Sequence, residues 1–222
     1  MRPDSINKAE ALRYMGQRGE STPALEHMMD RCEQVLLESI DYKYVYRVFE
    51  LDFTYEGVRL EGTGLVLRGN DIRSHLRGCD KAALMCVTLG QGCDRAIRKL
   101  SLSDIAEGFA ADALGSAAVE NVCDIAEREM RKRFPGKYFT WRFSPGYGDL
   151  PIEQQRDFLA VTDAAKRINL SLSDGGMMIP SKSVTAIIGI GDTPVDSKKK
   201  GCGSCNMAAT CLFRQKGIRC SS

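Results

Sequence analysis

The sequence is short of the side chain that most enzymes use to move protons near neutral pH, with two histidines in 222 residues. His27 falls inside a helical pattern and His75 at a helix end, and neither has a context that marks a base; both are read as structural or surface groups. A Walker phosphate loop, a nucleophile elbow and a dinucleotide-binding glycine fingerprint are absent as well, so conventional acid-base or nucleophilic catalysis is not expected. Charge of one sign is also lacking. Against 31 Lys+Arg stand 29 Asp+Glu, a net +2, which creates no field of the kind that gathers nucleic acid or coats an anionic membrane. No apolar run reaches the roughly 18 residues of a membrane helix, and MRPDSINKAEALRYM lacks the basic-then-apolar order of a secretory signal. The expected setting is cytoplasmic, with neither nucleic acid nor membrane as partner. No internal repeat is found, and no linker rich in Pro, Gly or Ser precedes Gly191.

What is there suits one sizeable core, since 43% of the residues are hydrophobic. Helical spacing predicts helices over 7–16 and 23–40, the second with Thr22 ahead of Pro23 as N-cap. Alternation of aromatic and β-branched with polar residues predicts a hairpin, Tyr44 to Phe53 and Val58 to Leu67, turning at Glu56-Gly57. A short helix from Asp71 to Leu76 leads to Ala82–Leu89, apolar on both faces and hence a central strand. Asp104 to Arg133 is the longest helical pattern, and its small-residue middle, FAADALGSAAVE, lets another element come close. A strand from Tyr138 to Phe143, a polar helix from Ile152 to Lys166 and a strand from Ser183 to Ile190 complete the pattern. Strands and helices do not alternate regularly, so the class is α+β with a mostly antiparallel sheet and long packed helices, one domain with a short cysteine-bearing tail. The organisation expected is 1–69 for helices and hairpin, 70–191 for the core of the same domain, and 192–222 for the tail.

The most informative local feature is Trp141-Arg142-Phe143-Ser144-Pro145-Gly146-Tyr147-Gly148. An arginine at a strand end beside an open-backbone loop can clamp a carboxylate bidentately while loop amides and carbonyls read the rest of a ligand. A salt bridge to Asp149 or to a helix carboxylate is the plain alternative, with Gly146 and Gly148 as turn formers and Tyr147 as a packed ring.

The same residues carry a resemblance. Arg-x-x-Pro-Gly-Tyr over 142–147, followed by a polar helix and then by Leu172-Ser173-Asp174, Met178, Pro180 and Ser183-Val184-Thr185, resembles the paired signature of the reactivation domain of cobalamin-dependent methionine synthase. That family shows R-x-x-P-G-Y and, about 30 residues later, L-T-E-S-x-x-M-x-P-x-x-S-V-S-G. The resemblance covers roughly residues 70 to 191, and NDIRSHLRGCDKAALMCVTLG is similar to stand-alone bacterial forms. It implies a domain that binds S-adenosylmethionine on a concave surface and presents the methyl group to cobalamin, restoring a corrinoid oxidised from cob(I) to cob(II). By position, Arg142 would pair with the methionyl carboxylate, and Ser144, Gly146 and Tyr147 would meet the ligand largely through main-chain groups. Glu120, on the long helix, would receive the ammonium group; a solvated helix carboxylate is its alternative reading. The cofactor does the hard chemistry and the protein supplies position, which accounts for the missing general base. The chain departs from the signature where LTES becomes LSLSD, where SVSG becomes SVTA, and where GDTPVDSKKKG lacks an aromatic pair that follows the last strand in the long enzymes. It contains no cobalamin module, so reactivation would act in trans on a methionine synthase or related corrinoid protein, with a flavodoxin or ferredoxin-type reductant. The alternative is a module without turnover, one that senses S-adenosylmethionine or carries a metal cluster.

Nine cysteines divide into two groups. Cys32, Cys79, Cys86, Cys93 and Cys123 lie among apolar neighbours and read as core. Cys202, Cys205, Cys211 and Cys220 form C-x2-C-x5-C-x8-C behind Lys198-Lys199-Lys200. Four clustered thiolates with basic neighbours suit an iron-sulfur cluster or structural zinc, and redox-active or unordered thiols stay open. A cluster there would relay the electron that cobalt needs.

Overall fold

The structure, a computed structural model, describes residues 3–17 and 19–195. Two helices, α1 (Lys8–Tyr14) and α2 (Pro23–Ser39), open the chain; α2 starts behind the expected cap Thr22, and α1 starts behind Asn7, which caps it from outside. The Asn7 side chain accepts from the Glu10 amide and Thr22 from the Leu25 amide, which satisfies orphan donors of the first turns. Lys8 bridges Asp30 at 2.6 Å and Glu33 at 2.7 Å, tying α1 to α2.

Strands β1 (Lys43–Phe53), β2 (Val58–Leu60) and β3 (Val66–Leu67) follow, then α3 (Asn70–His75) and β4 (Lys81–Thr88). The strand expected over 58–67 breaks in two. Thr63 hydrogen-bonds the Leu60 carbonyl with its hydroxyl at 2.8 Å, and Gly62 adopts φ +74°, so the chain folds back and β2 pairs with β3. Helices α4 (Gln91–Ser103) and α5 (Ile105–Arg133) form a pair joined at Asp104. The remaining elements are β5 (Tyr138–Phe139), α6 (Gln155–Thr162), α7 (Ala164–Ile168), β6 (Ser171–Leu172), β7 (Met178–Ile179) and β8 (Ser183–Gly191).

The six-stranded sheet has the order β3-β2-β1-β4-β8-β5, and β6 pairs with β7 in a separate hairpin. Backbone bonds Leu51 to Asp80 and Asp41 to Leu89 make β1 and β4 antiparallel; Asp80 to Ile190 and Leu89 to Lys182 do the same for β4 and β8. β4 is buried along nearly its whole length, as a central strand requires. The fold is therefore α+β in one domain with an antiparallel sheet, as expected. Among the described residues no helix is long and apolar enough to cross a membrane.

Within the domain the chain forms two compact units. One takes in the chain through Val45, Cys86–Arg133 and Asp163–Val184; the other takes in Tyr46–Met85, Phe134–Thr162 and the chain from Thr185. In the helical unit, α5 contributes Ala110, Ala117 and Ala118 to the core, and Gly108 lies so close to Ser101 that a Cβ there would strike its backbone. The small residues thus serve close helix packing. The core of the second unit gathers Phe49, Leu60, Ile72, Leu84, Phe158 and Ile187. All five described cysteines are buried.

Candidate functional site

The loop after β5 is built by a strand that stops pairing early. Tyr138 and Phe139 pair with Gly191 and Ile190, after which the Thr140 hydroxyl accepts the Gly189 amide at 2.8 Å. The ladder resumes only as a single bridge, Phe143 to Ile187. The strand expected over 138–143 is thereby interrupted, because a side chain takes the place of a backbone partner. Arg142 falls in the interruption, half-buried, directly before the bridge.

Beyond Phe143 the loop closes on itself. The Tyr147 amide donates to the Ser144 carbonyl at 3.0 Å, the Gly146 amide to Leu150 at 2.9 Å, and the Leu150 amide to Tyr147 at 3.0 Å. Gly146 has φ +89° and Gly148 φ +53°, values that favour glycine. Two of the amides that a ligand would seek are therefore spent on loop closure. The Tyr147 ring stays exposed while touching Phe143 edge-on at 6.1 Å, and Phe143 stacks on Trp141 at 5.2 Å and His75 at 5.0 Å. His75 is thus half-buried in an aromatic ladder, and His27 is exposed on α2.

The far end of the loop is anchored by Asp149. Its carboxylate accepts the Asn70 amide at 2.6 Å and the Asp71 amide at 2.9 Å. It caps α3, whose own N-cap, Gly69, has no side chain to do so. Asp71 returns the contact, accepting the Asp149 amide at 3.2 Å. This anchor was not foreseen, although a helix beginning on glycine is a visible sign that its cap must come from elsewhere. Arg142, Ser144, Gly146 and Tyr147 are thus brought together on one tied loop of the second unit.

Glu120 belongs to the other unit. It is half-buried on α5, and its charge, behind burial and the hydrogen bond and charge of Glu10, adds to the forces that push the Tyr14 hydroxyl up. The second motif belongs mainly to this unit too, in the β6–β7 hairpin and the segment after it. Leu172 pairs with Met178, and the Ser173 hydroxyl accepts the Met177 amide at 3.1 Å, closing the turn. Asp94, from the first turn of α4, accepts the Ser181 amide at 2.7 Å and the Ser181 hydroxyl at 3.0 Å. Lys182 meets Asp112 at 2.8 Å and Ser116 at 3.0 Å on α5. Ser183 donates to the Pro180 carbonyl. The serines of this motif therefore shape the segment.

Cys202, Cys205, Cys211 and Cys220 lie outside the described residues. Among the described residues no group of three or more His, Cys, Asp or Glu is placed to hold a metal ion. The thiols of Cys79 and Cys93 are pushed up to about 11 and about 12 by burial and, behind it, by neighbouring aspartates, so they stay protonated at neutral pH. A cavity of about 60 Å³, bordered by Lys8, Leu12, Leu25 and Met29, belongs to the helical unit and includes none of the motif residues.

No family model matches the chain, and no curated protein matches it. Among solved structures it is similar to the crystal structure of the MetH reactivation domain bound to AdoHcy, with 14% identity, a TM-score of 0.60, and coverage of 96% of this chain and 82% of that one. At that identity the likeness shows the fold: the chain has the architecture of the domain that its motifs resemble.

Proposed function

We propose that this chain binds S-adenosylmethionine at the Arg142 loop and passes its methyl group to a corrinoid held by a separate protein, a cobalamin-dependent methionine synthase or a related methyltransferase. The observation that carries the reading is the Arg142–Tyr147 loop, which pairs the family's R-x-x-P-G-Y residues with a rigid, partly exposed setting in a chain of the matching fold. In the matched structure the occupant is AdoHcy, the demethylated form of the same ligand.

Each residue then has a physical task. Arg142 pairs with the methionyl carboxylate through its planar fork. The Gly146 and Tyr147 amides are spent on the Leu150 and Ser144 carbonyls, and each closing carbonyl keeps a second lone pair that suits a sulfonium or an amine better than an anion; the exposed Tyr147 ring offers a flat surface to the adenosyl part. The chemistry balances as follows: one electron from a flavodoxin or ferredoxin-type donor takes cob(II) to cob(I). Its electron pair attacks the methyl carbon, the carbon–sulfur bond breaks, and its pair stays on sulfur as S-adenosylhomocysteine leaves. Uphill reduction is drawn forward by this methyl transfer, so the protein supplies position and no general base.

The test is titration calorimetry of the full chain, prepared anaerobically, with S-adenosylmethionine, followed by spectra of cob(II)alamin mixed with protein, ligand and reductant. Saturable binding and growth of the methylated corrinoid are expected. Arg142→Ala should weaken binding more than tenfold, the equivalent of roughly 1.5 to 3 kcal/mol for a charged hydrogen-bonded pair. An unchanged dissociation constant removes Arg142 from the site, and no binding by the wild type ends the reading.

A further inference from the structure

We propose that His75 is a positioning residue for Arg142: it holds the bulged segment that carries the arginine and so sets the fit of the ligand's carboxylate. The inference rests on the function above and adds a residue to its site. Phe139 pairs with Ile190 and Phe143 with Ile187, so between the two pairs the loop side carries one residue more than β8 does. That is a β-bulge, a device that re-aims a side chain at the cost of backbone pairing. Trp141 and Arg142 lie inside it, outside both the β5 ladder and the single bridge. Rings take over where the backbone ladder stops. His75 meets Trp141 edge-on at 4.6 Å and Phe143 at 5.0 Å, and those two rings meet each other at 5.2 Å. His75 therefore grips the chain at the residue before Arg142 and at the residue after it.

A residue positions another only if it is itself held. His75 is the last residue of α3, where Ile72 and the following Leu76 are fully buried. Arg73 ties the same helix to the turn after β1, donating to the Thr54 carbonyl at 2.6 Å and to that of Gly57 at 3.3 Å. The first amides of α3 are in turn held by Asp149 at the far end of the loop. One short helix thus takes hold of the ligand loop twice, through its first amides and through its last side chain, and Arg142, Ser144, Gly146 and Tyr147 are the residues between the two grips. Since Ile72 and Leu76 already fill the core beneath α3, the half-buried His75 ring is left to serve the loop. Phe143 passes the contact on to the Tyr147 ring at 6.1 Å. An arginine fixed before the ligand arrives spares the cost of ordering it on binding.

Trp141 is the chain's single tryptophan, so its emission reads the ring ladder directly. The experiment compares the full chain with His75→Ala, His75→Phe, Arg142→Ala and the double variant H75A/R142A by tryptophan emission, amide hydrogen exchange and calorimetry with S-adenosylmethionine. His75→Ala is expected to shift the emission, to speed exchange of the Gly146, Tyr147 and Leu150 amides at least tenfold while β1 stays within twofold, and to weaken the ligand at least fivefold. His75→Phe keeps a ring in the ladder and should bring affinity back to within twofold of wild type. With Arg142 already replaced, His75→Ala should cost less than a further twofold, because nothing is left for it to position. His75→Gln, which has no ring, takes its place if circular dichroism shows the alanine variant unfolded. Equal losses in both backgrounds overturn the proposal, as do wild-type exchange and emission in the variant without a ring, a phenylalanine variant as weak as alanine, or a β1 that loosens along with the loop. A wild type that ignores S-adenosylmethionine, while loss of the ring still frees the loop alone, overturns the function above and still supports the grip of His75 on the loop.

Discussion

A single carboxylate 78 positions away in sequence decides how α3 begins. Asp149 supplies the two acceptors that Gly69 cannot, so Asp149→Ala should cost about 1 to 2 kcal/mol, the usual worth of a helix cap, read as a lower urea midpoint with an unchanged slope. An Asp149→Asn variant should recover part of that loss. The buried thiols give a prediction of opposite character. Cys79 and Cys93 have folded-state values pushed up to about 11 and about 12 by burial and nearby aspartates, above the ordinary thiol value near 9. The stability that depends on their protonated form is complete below pH 9 and is lost as pH climbs through 11 and 12. Urea midpoints should therefore fall over that range, and Cys93→Ala should flatten the fall. Equal slopes in both proteins would place the loss on other groups.

Among the elements, long periodic patterns were legible and short or strained ones were not. Helices α2 and α5 and strands β1, β4 and β8 lie within a residue or two of their expected bounds, because burial on one face or on two leaves a clear period. The helix expected over 152–166 instead divides into a 3-10 turn at Ile152–Gln154, then α6 and α7, since Asp163 adopts φ +56° and stops the first before the second begins. No period announces that change of hand. Helix α4 was missed altogether: it starts on Gly90-Gln91-Gly92 and carries cations on its outer face, so local chemistry hides what packing makes. Gly92 lies against the Ser39 carbonyl, and Gly108 against Ser101, contacts that only the assembled helices reveal. Gly108→Val should lower stability by about 3 kcal/mol, the upper range for overpacking, and thermal unfolding measures it. A midpoint shift under about 2 °C would mean that α4 and α5 can separate at little cost.

For the molecule as a whole, the fold outlasts the sequence: 14% identity accompanies a match along 96% of the chain. The turn after Phe143 was legible because the residues that close it, Ser144, Gly146, Tyr147 and Leu150, stand near one another in sequence. Asp94 and Asp149 were not legible, because each acts on a segment far along the chain. The tail is a separate question of chemistry. If Cys202, Cys205, Cys211 and Cys220 hold a cluster, anaerobically prepared full chain will contain iron and show charge-transfer absorption, and C202S/C205S will abolish both while leaving S-adenosylmethionine affinity intact. Colourless, iron-free protein would remove the relay.

The contact between Asp149 and α3 is reciprocal, and each half needs an empty space in the other. A Cβ on Gly69 would strike the Asp149 carboxylate, and a Cβ on Gly148 would strike that of Asp71. Gly69 and Gly148, at φ +132° and +53°, are thus held to glycine twice over, by backbone conformation and by the carboxylate that fills the space where a Cβ would stand. Relatives of this chain should keep glycine at both positions, however far the rest of their sequences have drifted, whereas the two carboxylates can give way at the modest cost of a helix cap.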